Sequence, residues 1–213
     1  MNGLLDNEGM INEIIEMGFI KSHKVRNAFM SVDRGKFVFP GFERYAYFDE
    51  PIPLGDTGQT ISAPSMLGMM LEVMEIERWH YVLEIGTGSG YSAALISRIA
   101  NMGGIVTIEY NYKLFKFGRN NLRKFINVLP VFGDGTLGYP PFSQKPQYDR
   151  IVIMASTEVI PNILLTQLVD GGFVVAPLGS HNYQELVKVQ KDGKMEKYGG
   201  CVFVPLNYGF GQK

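Results

Sequence analysis

From residue 82 onward, short apolar runs rich in branched residues alternate with longer stretches whose apolar positions recur every three or four residues. The runs at 82–85, 105–109, 128–132, 150–154 and 172–176 predict buried strands. The stretches between them, at 91–101, 113–125 and 160–168, predict helices. Regular alternation of the two points to an α/β fold with a doubly wound, mostly parallel sheet, because a parallel neighbour is reached only through a crossover. Past Pro177, the extended runs 185–190 and 201–206 flank the turn-forming Lys191-Asp192-Gly193-Lys194 and predict a C-terminal hairpin. Upstream, 6–18 and 22–32 carry helical spacing, and a segment rich in Pro, Gly and aromatics fills 37–60. Ala63-Pro64 then opens an apolar stretch that runs to Met74 and predicts another helix.

The junction at Leu83-Glu84-Ile85-Gly86-Thr87-Gly88-Ser89-Gly90-Tyr91 changes the picture from fold to ligand. A buried strand ends in an acid, passes through a glycine turn and enters a helix whose first amides face whatever the turn holds. In a dinucleotide-binding turn the third glycine falls three residues after the second; here it falls two after. Glu84 beside the turn would repel a diphosphate and suits a cationic ligand. S-adenosyl-L-methionine has that character, since it carries an ammonium and a sulfonium beside a nucleoside.

Charge adds an exclusion. Lys and Arg number 20 against 21 Asp and Glu, so no bulk field favours nucleic acid or an anionic membrane. At 213 residues, 46% of them hydrophobic, the chain has material for one core. Cys201 is its only cysteine, which excludes an internal disulfide or a cysteine-rich zinc site and suits a reducing cytoplasm. No apolar run is long enough to cross a bilayer, and residues 1–21 lack a signal-peptide pattern, so a soluble, cytoplasmic protein is expected. His23, His80 and His181 are scattered without ligand spacing, so no metal is expected.

Two further acids fall at strand ends. Glu109 closes the second strand 25 residues after Glu84, where a carboxylate can accept from both hydroxyls of a ribose. Asp134, between Gly133 and Gly135 after the third strand, can accept from an exocyclic adenine amine. Each alone is more simply a loop acid or a turn. Three at the carboxyl edge of three successive strands mark a cofactor site, because open α/β sheets bind ligands there.

The remaining motifs carry a resemblance. In order along the chain come Val32-Asp33-Arg34, Phe37-Val38, the run from Ala46 to Gly55, Gly58-Gln59-Thr60-Ile61-Ser62-Ala63-Pro64, Gly133-Asp134-Gly135-Thr136, the segment 161–168 and Phe203-Val204-Pro205-Leu206. Together they resemble the protein-L-isoaspartate O-methyltransferase family over nearly the whole chain. The resemblance implies methyl transfer from S-adenosyl-L-methionine, leaving S-adenosyl-L-homocysteine. The acceptor would be the free α-carboxylate of isoaspartyl residues in damaged proteins and peptides, whose ester then collapses to a succinimide.

By position, the resemblance implies Ser62 as the active-site serine and a substrate contact, and Val204 as a second substrate contact. Gln59, Thr60, Ile61, Glu84, Gly86, Gly88, Ser89, Glu109, Tyr110, Asp134 and Gly135 would hold the cofactor, with Asn207 and Gln212 as contacts from the tail. It implies a single domain, 1–213. Residues 1–60 form a helical and substrate segment, 61–180 the cofactor-binding core, and 181–213 the hairpin and tail.

Ser62, directly before Ala63-Pro64, also reads as a helix cap. The sequence departs from the family's pattern in the loop at Asp56-Thr57, at Ser65, and at Met154-Ala155-Ser156-Thr157-Glu158, where an acid stands near a site meant for a carboxylate. Alternatives are a methyltransferase of another carboxylate or of RNA, a non-catalytic cofactor-binding module, and a nicotinamide oxidoreductase, which the glycine spacing disfavours. Oligomeric state is not legible.

Overall fold

The computed structural model describes residues 6–180 and 182–207. Helices α1 (Asn7–Glu16) and α2 (His23–Ser31) lead the chain, and each is started by a side chain that takes up a free amide. Asp6 accepts from Gly9 N–H, and Ser22 accepts from Val25 N–H. A small antiparallel pair follows, β1 (Ile52–Pro53) with β2 (Thr60–Ile61), and closes the loop between them. Next come α3 (Pro64–Val73), β3 (Tyr81–Ile85), α4 (Tyr91–Ile99), β4 (Gly104–Glu109), α5 (Tyr112–Asn121) and β5 (Val128–Phe132). The chain continues with β6 (Tyr148–Ile153), α6 (Asn162–Thr166), β7 (Leu168–Ser180), β8 (Tyr183–Gln190) and β9 (Met195–Cys201).

Among the described residues, β3 to β9 form one seven-stranded sheet in the order β5-β4-β3-β6-β7-β8-β9. It is parallel from β5 to β7, while β8 and β9 each run antiparallel to the strand before. The strand order reverses at β3, with β4 on one side and β6 on the other, and this switch point opens a crevice at the carboxyl ends. Alternation along the strands separates two cores. Val82, Ile105, Val152 and Phe173 pack with α1 to α4, whereas Leu83, Ile85, Ile108, Ile151 and Val174 pack with α6 on the other face. Glu84 lies two residues from Val82 and so faces the α4 side.

The aromatics of the early segment serve packing. Phe37 lies 5.4 Å from the ring of Tyr91, and Phe39 lies 4.1 Å from Phe117, which lays the segment over α4 and α5.

The hairpin forms at the expected turn, where Gly193 has φ of 86° and Gln190 N–H donates to Lys194 C=O. Its second strand, however, is Met195–Cys201 and not 201–206. Register is set by the turn, so the residues right after it pair, although they include Gly199 and Gly200. After Cys201 the chain leaves the sheet, Val202 is 92% exposed, and Pro205 has no amide to offer a ladder. The helix expected over 160–168 shrinks to α6, because Leu168 already belongs to β7.

Candidate active site

The glycine turn is built by its backbone. After β3, the amides of Gly86 and Thr87 both donate to Ile108 C=O, at 2.8 and 3.2 Å, folding the turn against β4. Gly86 and Gly88 have φ of 100° and 53°, which a side chain would strain. A β-carbon on Gly86 would lie 3.2 Å from Met154, and one on Gly88 would lie 3.3 Å from Leu54. Both neighbours line the cavity in front of the turn, so the glycines keep that space open.

The cavity measures about 200 Å³ and sits at the carboxyl ends of β3 and β4. The turn contributes Gly86, Gly88 and Ser89, the end of β4 contributes Glu109, Tyr110 and Asn111, and Gly135 closes one side. Gln59, Thr60, Ile61 and Ser62 also line it, together with residues 204–207. The lining carries one carboxylate, Glu109, and among the described residues no Lys, Arg or His. Such a surface suits a ligand bearing positive charge and is a poor host for a diphosphate.

Glu109 is 7% exposed. Its Oε2 accepts from Gly88 N–H and its Oε1 from Asn111 N–H, both at 2.8 Å, so it braces the turn as well as facing the cavity. Burial pushes its carboxyl up, against the pull of the Asn111, Gly88 and Tyr110 amides. Glu84 and Asp134 are not among the lining residues. Glu84 is fully buried; Thr107 donates to its Oε2 at 2.5 Å, and Oε1 has no hydrogen-bond partner. Burial drives this carboxyl up to about 7, opposed by the Ser92 and Thr107 hydroxyls. Asp134 starts a single helical turn, where its Oδ1 accepts from Thr136 N–H at 2.9 Å and from the Thr136 hydroxyl at 2.6 Å.

A second cavity of about 170 Å³ adjoins the first, lined by Pro51, Ser65, Met66, Val202 and Phe203. The two share Thr60, Ser62, Met154 and Val204, so Ser62 and Val204 stand where the cavities meet. The reading of Ser62 as a helix cap is corrected: Ala63 is the residue before α3, with no side-chain bond, and Pro64 fills the first position, where no amide needs an acceptor. The Ser62 carbonyl instead accepts from Arg34 at 2.8 Å. Arg34 is fully buried, also donates to Glu50 C=O at 3.1 Å, and is pulled down to about 10 by burial.

Of the departures, Thr57, Met154 and Ala155 line the first cavity and Ser65 the second, whereas the two acids line neither. Asp56 pairs with Lys113 on the surface, Ser65 N–H donates to Asp49, and Glu158 is exposed and lines neither cavity. Asn207 lines the cavity, whereas Gln212 and His181 lie outside the described residues. His80 is buried, accepts from Glu77 N–H and is held below its usual pKa by burial; His23 is an exposed first residue of α2. Burial raises the Cys201 thiol to about 11, the state of an inert structural cysteine. Among the described residues no group of three or more His, Cys, Asp or Glu is placed to hold a metal ion.

Leu54, Thr57, Asn111, Leu114 and Met154 also line the first cavity; Leu54 falls within a motif of the resemblance and Thr57 and Met154 within departures from it, but none is among the residues expected at the site. Asn111 had a signal, since Asn directly after a strand and before a helical stretch is a cap; its Oδ1 accepts from Lys113 and Leu114. Leu54 and Met154 had none of their own, because apolar residues lining a pocket look like core.

Residues 5–210 match the model of the family described as protein-L-isoaspartate(D-aspartate) O-methyltransferase. The chain is similar to the protein-L-isoaspartate O-methyltransferase of Methanopyrus kandleri, at 42% identity over 93% of this chain and 90% of that protein. It is 44% identical to that of Pyrococcus horikoshii, over 89% and 87% of the two chains. A solved protein-L-isoaspartate O-methyltransferase superposes with a TM-score of 0.82 at 27% identity, over 95% of this chain and 66% of the other. The same fold is found in a Plasmodium falciparum protein crystallised with S-adenosyl-L-homocysteine, at a TM-score of 0.82 and 20% identity over 95% and 98% of the two chains.

Proposed function

We infer, for a chain that belongs to the protein-L-isoaspartate(D-aspartate) O-methyltransferase family, that it methylates the free α-carboxylate of isoaspartyl residues in damaged proteins and peptides, with S-adenosyl-L-methionine as donor. The observation that carries this reading is the pair of adjoining cavities with Ser62 and Val204 in their common wall. The cofactor fits the first cavity by charge, since the lining is acidic without a cation, and by the glycine cradle that a β-carbon would invade. Glu109, Tyr110, Gln59, Thr60, Ile61, Gly86, Gly88, Ser89 and Gly135 would hold it. Glu84 would act from its buried place near the end of β3, and Asp134 would act beside Gly135. In the same proposal, residues 61–180 hold the cofactor while 1–60 and 181–213 complete the acceptor side of a single domain.

When bound, the cofactor supplies an electrophilic methyl group on a sulfonium. The chain's own task is to place the acceptor. A free α-carboxylate has a pKa of roughly 3.3 to 3.7, so it is an anion at neutral pH and needs no general base. Orientation of reactants can be worth on the order of 7 to 11 kcal/mol in the best-arranged cases, so positioning is a large contribution that needs no acid or base. Ser62 donates one hydrogen bond to the carboxylate and fixes its direction with little cost to its nucleophilicity. Val204 bounds the acceptor from the opposite side.

The test is incubation with methyl-labelled cofactor and paired peptides that differ only in isoaspartyl or aspartyl linkage. The isoaspartyl peptide should gain a base-labile methyl ester and the aspartyl peptide should not, because normal linkage sets the free carboxylate one methylene farther from the backbone branch. Equal labelling of both would leave a general carboxyl methyltransferase; no labelling of either would remove the assignment.

A further inference from the structure

We propose that Gln184 is the positioning residue that fixes the acceptor wall, acting through Phe203 and Val204. The inference rests on the isoaspartyl reading above, because it concerns how that substrate is held. β8 and β9 pair up to Gln184 opposite Cys201, and there the ladder stops. The next residue, Val202, is 92% exposed, so the backbone ladder gives no hold on the two residues that follow. Gln184 supplies one with its side chain. Its Oε1 accepts from Phe203 N–H at 2.7 Å, and its Nε2 donates to Phe203 C=O at 3.0 Å. This two-bond exchange with one residue's backbone has the chemistry of a ladder rung, carried by a side-chain amide. Gln184 is 5% exposed and Phe203 9%, so water does not compete for either bond.

The tail is held by two fastenings, which meet at the Phe203 carbonyl, where the Ser156 hydroxyl also donates at 3.4 Å. Ser156 N–H donates to Val204 C=O, and Leu206 N–H donates to Ser156 C=O, both at 2.8 Å; this pins the stretch 204–206, which lines the first cavity. Gln184 holds Phe203, which with Val202 and Val204 lines the second cavity. Loss of the Gln184 amide therefore strips Phe203 N–H of its acceptor and leaves Phe203 C=O only the longer Ser156 hydroxyl bond, which loosens the acceptor side, while the 2.8 Å Ser156 backbone bonds still fasten 204–206.

The experiment compares parent, Gln184→Leu and Gln184→Glu in steady-state methylation of an isoaspartyl peptide, with S-adenosyl-L-homocysteine affinity by calorimetry. Gln184→Leu keeps the bulk and removes both bonds, so KM for the peptide should rise about tenfold or more. Its S-adenosyl-L-homocysteine affinity should stay within about twofold of the parent's. Gln184→Glu reads the clamp by pH. Ionised, it can accept from Phe203 N–H but opposes Phe203 C=O; protonated, it donates again. Burial raises such a carboxyl, so KM relative to the parent should recover as pH falls from 8 to 6. If Gln184→Leu fails to fold, Gln184→Glu carries the test alone.

A merely structural role would lower the melting temperature without separating peptide KM from cofactor affinity or giving a pH-dependent recovery. Unchanged KM, or a raised KM in Gln184→Glu that does not respond to pH, overturns the inference while the family activity stands. A parent that labels no isoaspartyl peptide overturns both.

Discussion

Replacing Glu84 by Gln should flatten a specific part of the pH dependence of stability, with a size set by where the carboxyl sits. The group is fully buried on the α4 side of β3, with one oxygen bonded to Thr107 and the other unpartnered, and its pKa rises from 4.5 to about 7. The folded chain therefore keeps a proton that the unfolded chain releases between these values. Glu84's contribution is fully present below about pH 4.5 and lost as pH rises through 7. At roughly 1.4 kcal/mol per pH unit, that window amounts to about 3 kcal/mol. The Gln amide brings its own cost, since one side still lacks a partner, but that cost is the same at every pH. The quantity to measure is thus the stability of Glu84→Gln minus that of the parent, by urea denaturation without cofactor at pH 4.5, 6, 7 and 8. It should move by about 3 kcal/mol in the variant's favour from the lowest pH to the highest. Curves that run parallel across this range would show that the buried carboxyl does not titrate there and would refute the reasoning.

Ser62→Ala should lower turnover by about 1 to 3 kcal/mol of transition-state stabilisation, with little change in melting temperature, because the structure gives its hydroxyl no capping bond to lose. A destabilised variant of undiminished activity would remove Ser62 from the reaction. Glu109→Ala should weaken S-adenosyl-L-homocysteine binding by at least about 1 to 3 kcal/mol and lower the melting temperature as well, since the Gly88 and Asn111 amides lose their acceptor. An unchanged calorimetric affinity would take Glu109 out of the site.

The parallel sheet was legible because its strands are buried on both faces and read as continuous apolar runs, as at Val82-Leu83 and Ile105-Val106. The turn was legible because the positive-φ backbone that Gly86 and Gly88 adopt there favours glycine. The last strand was not. Met195–Cys201 sets two adjacent charges and two adjacent glycines in one strand and pairs for reasons of register, whereas the more apolar 201–206 is excluded from the ladder and forms cavity wall instead. The same limit hid Leu54, Met154 and Gln184. An apolar pocket wall has the composition of core, and a buried glutamine in a strand shows its purpose only when its partner, 19 residues away, is seen. Glu84 misled in a subtler way. Its place at the strand end is as expected, but its side chain is fully buried against Thr107 of the neighbouring strand and is not among the residues that line the cavity.

The placement of charge around Ser62 follows from the chemistry asked of it. A carboxylate nucleophile needs to be held, yet a bidentate guanidinium would hold it by neutralising the electrons that must attack. Arg34 lies within reach of the Ser62 peptide, but its two terminal nitrogens donate to the carbonyls of Ser62 and Glu50, it is fully buried, and it lines neither cavity. The cation is thereby committed to fixing backbone, and the surface offered to the acceptor is a hydroxyl and Val204. On the other side of the wall, the acidic lining with Glu109 faces a donor whose positive charge disappears as the methyl group leaves. The neutral acceptor side leaves the nucleophile's charge available for attack, while the carboxylate on the donor side serves to bind the cofactor. A cationic substitution in the acceptor cavity would improve grip on the ground state and, by uniform binding, leave the barrier no lower.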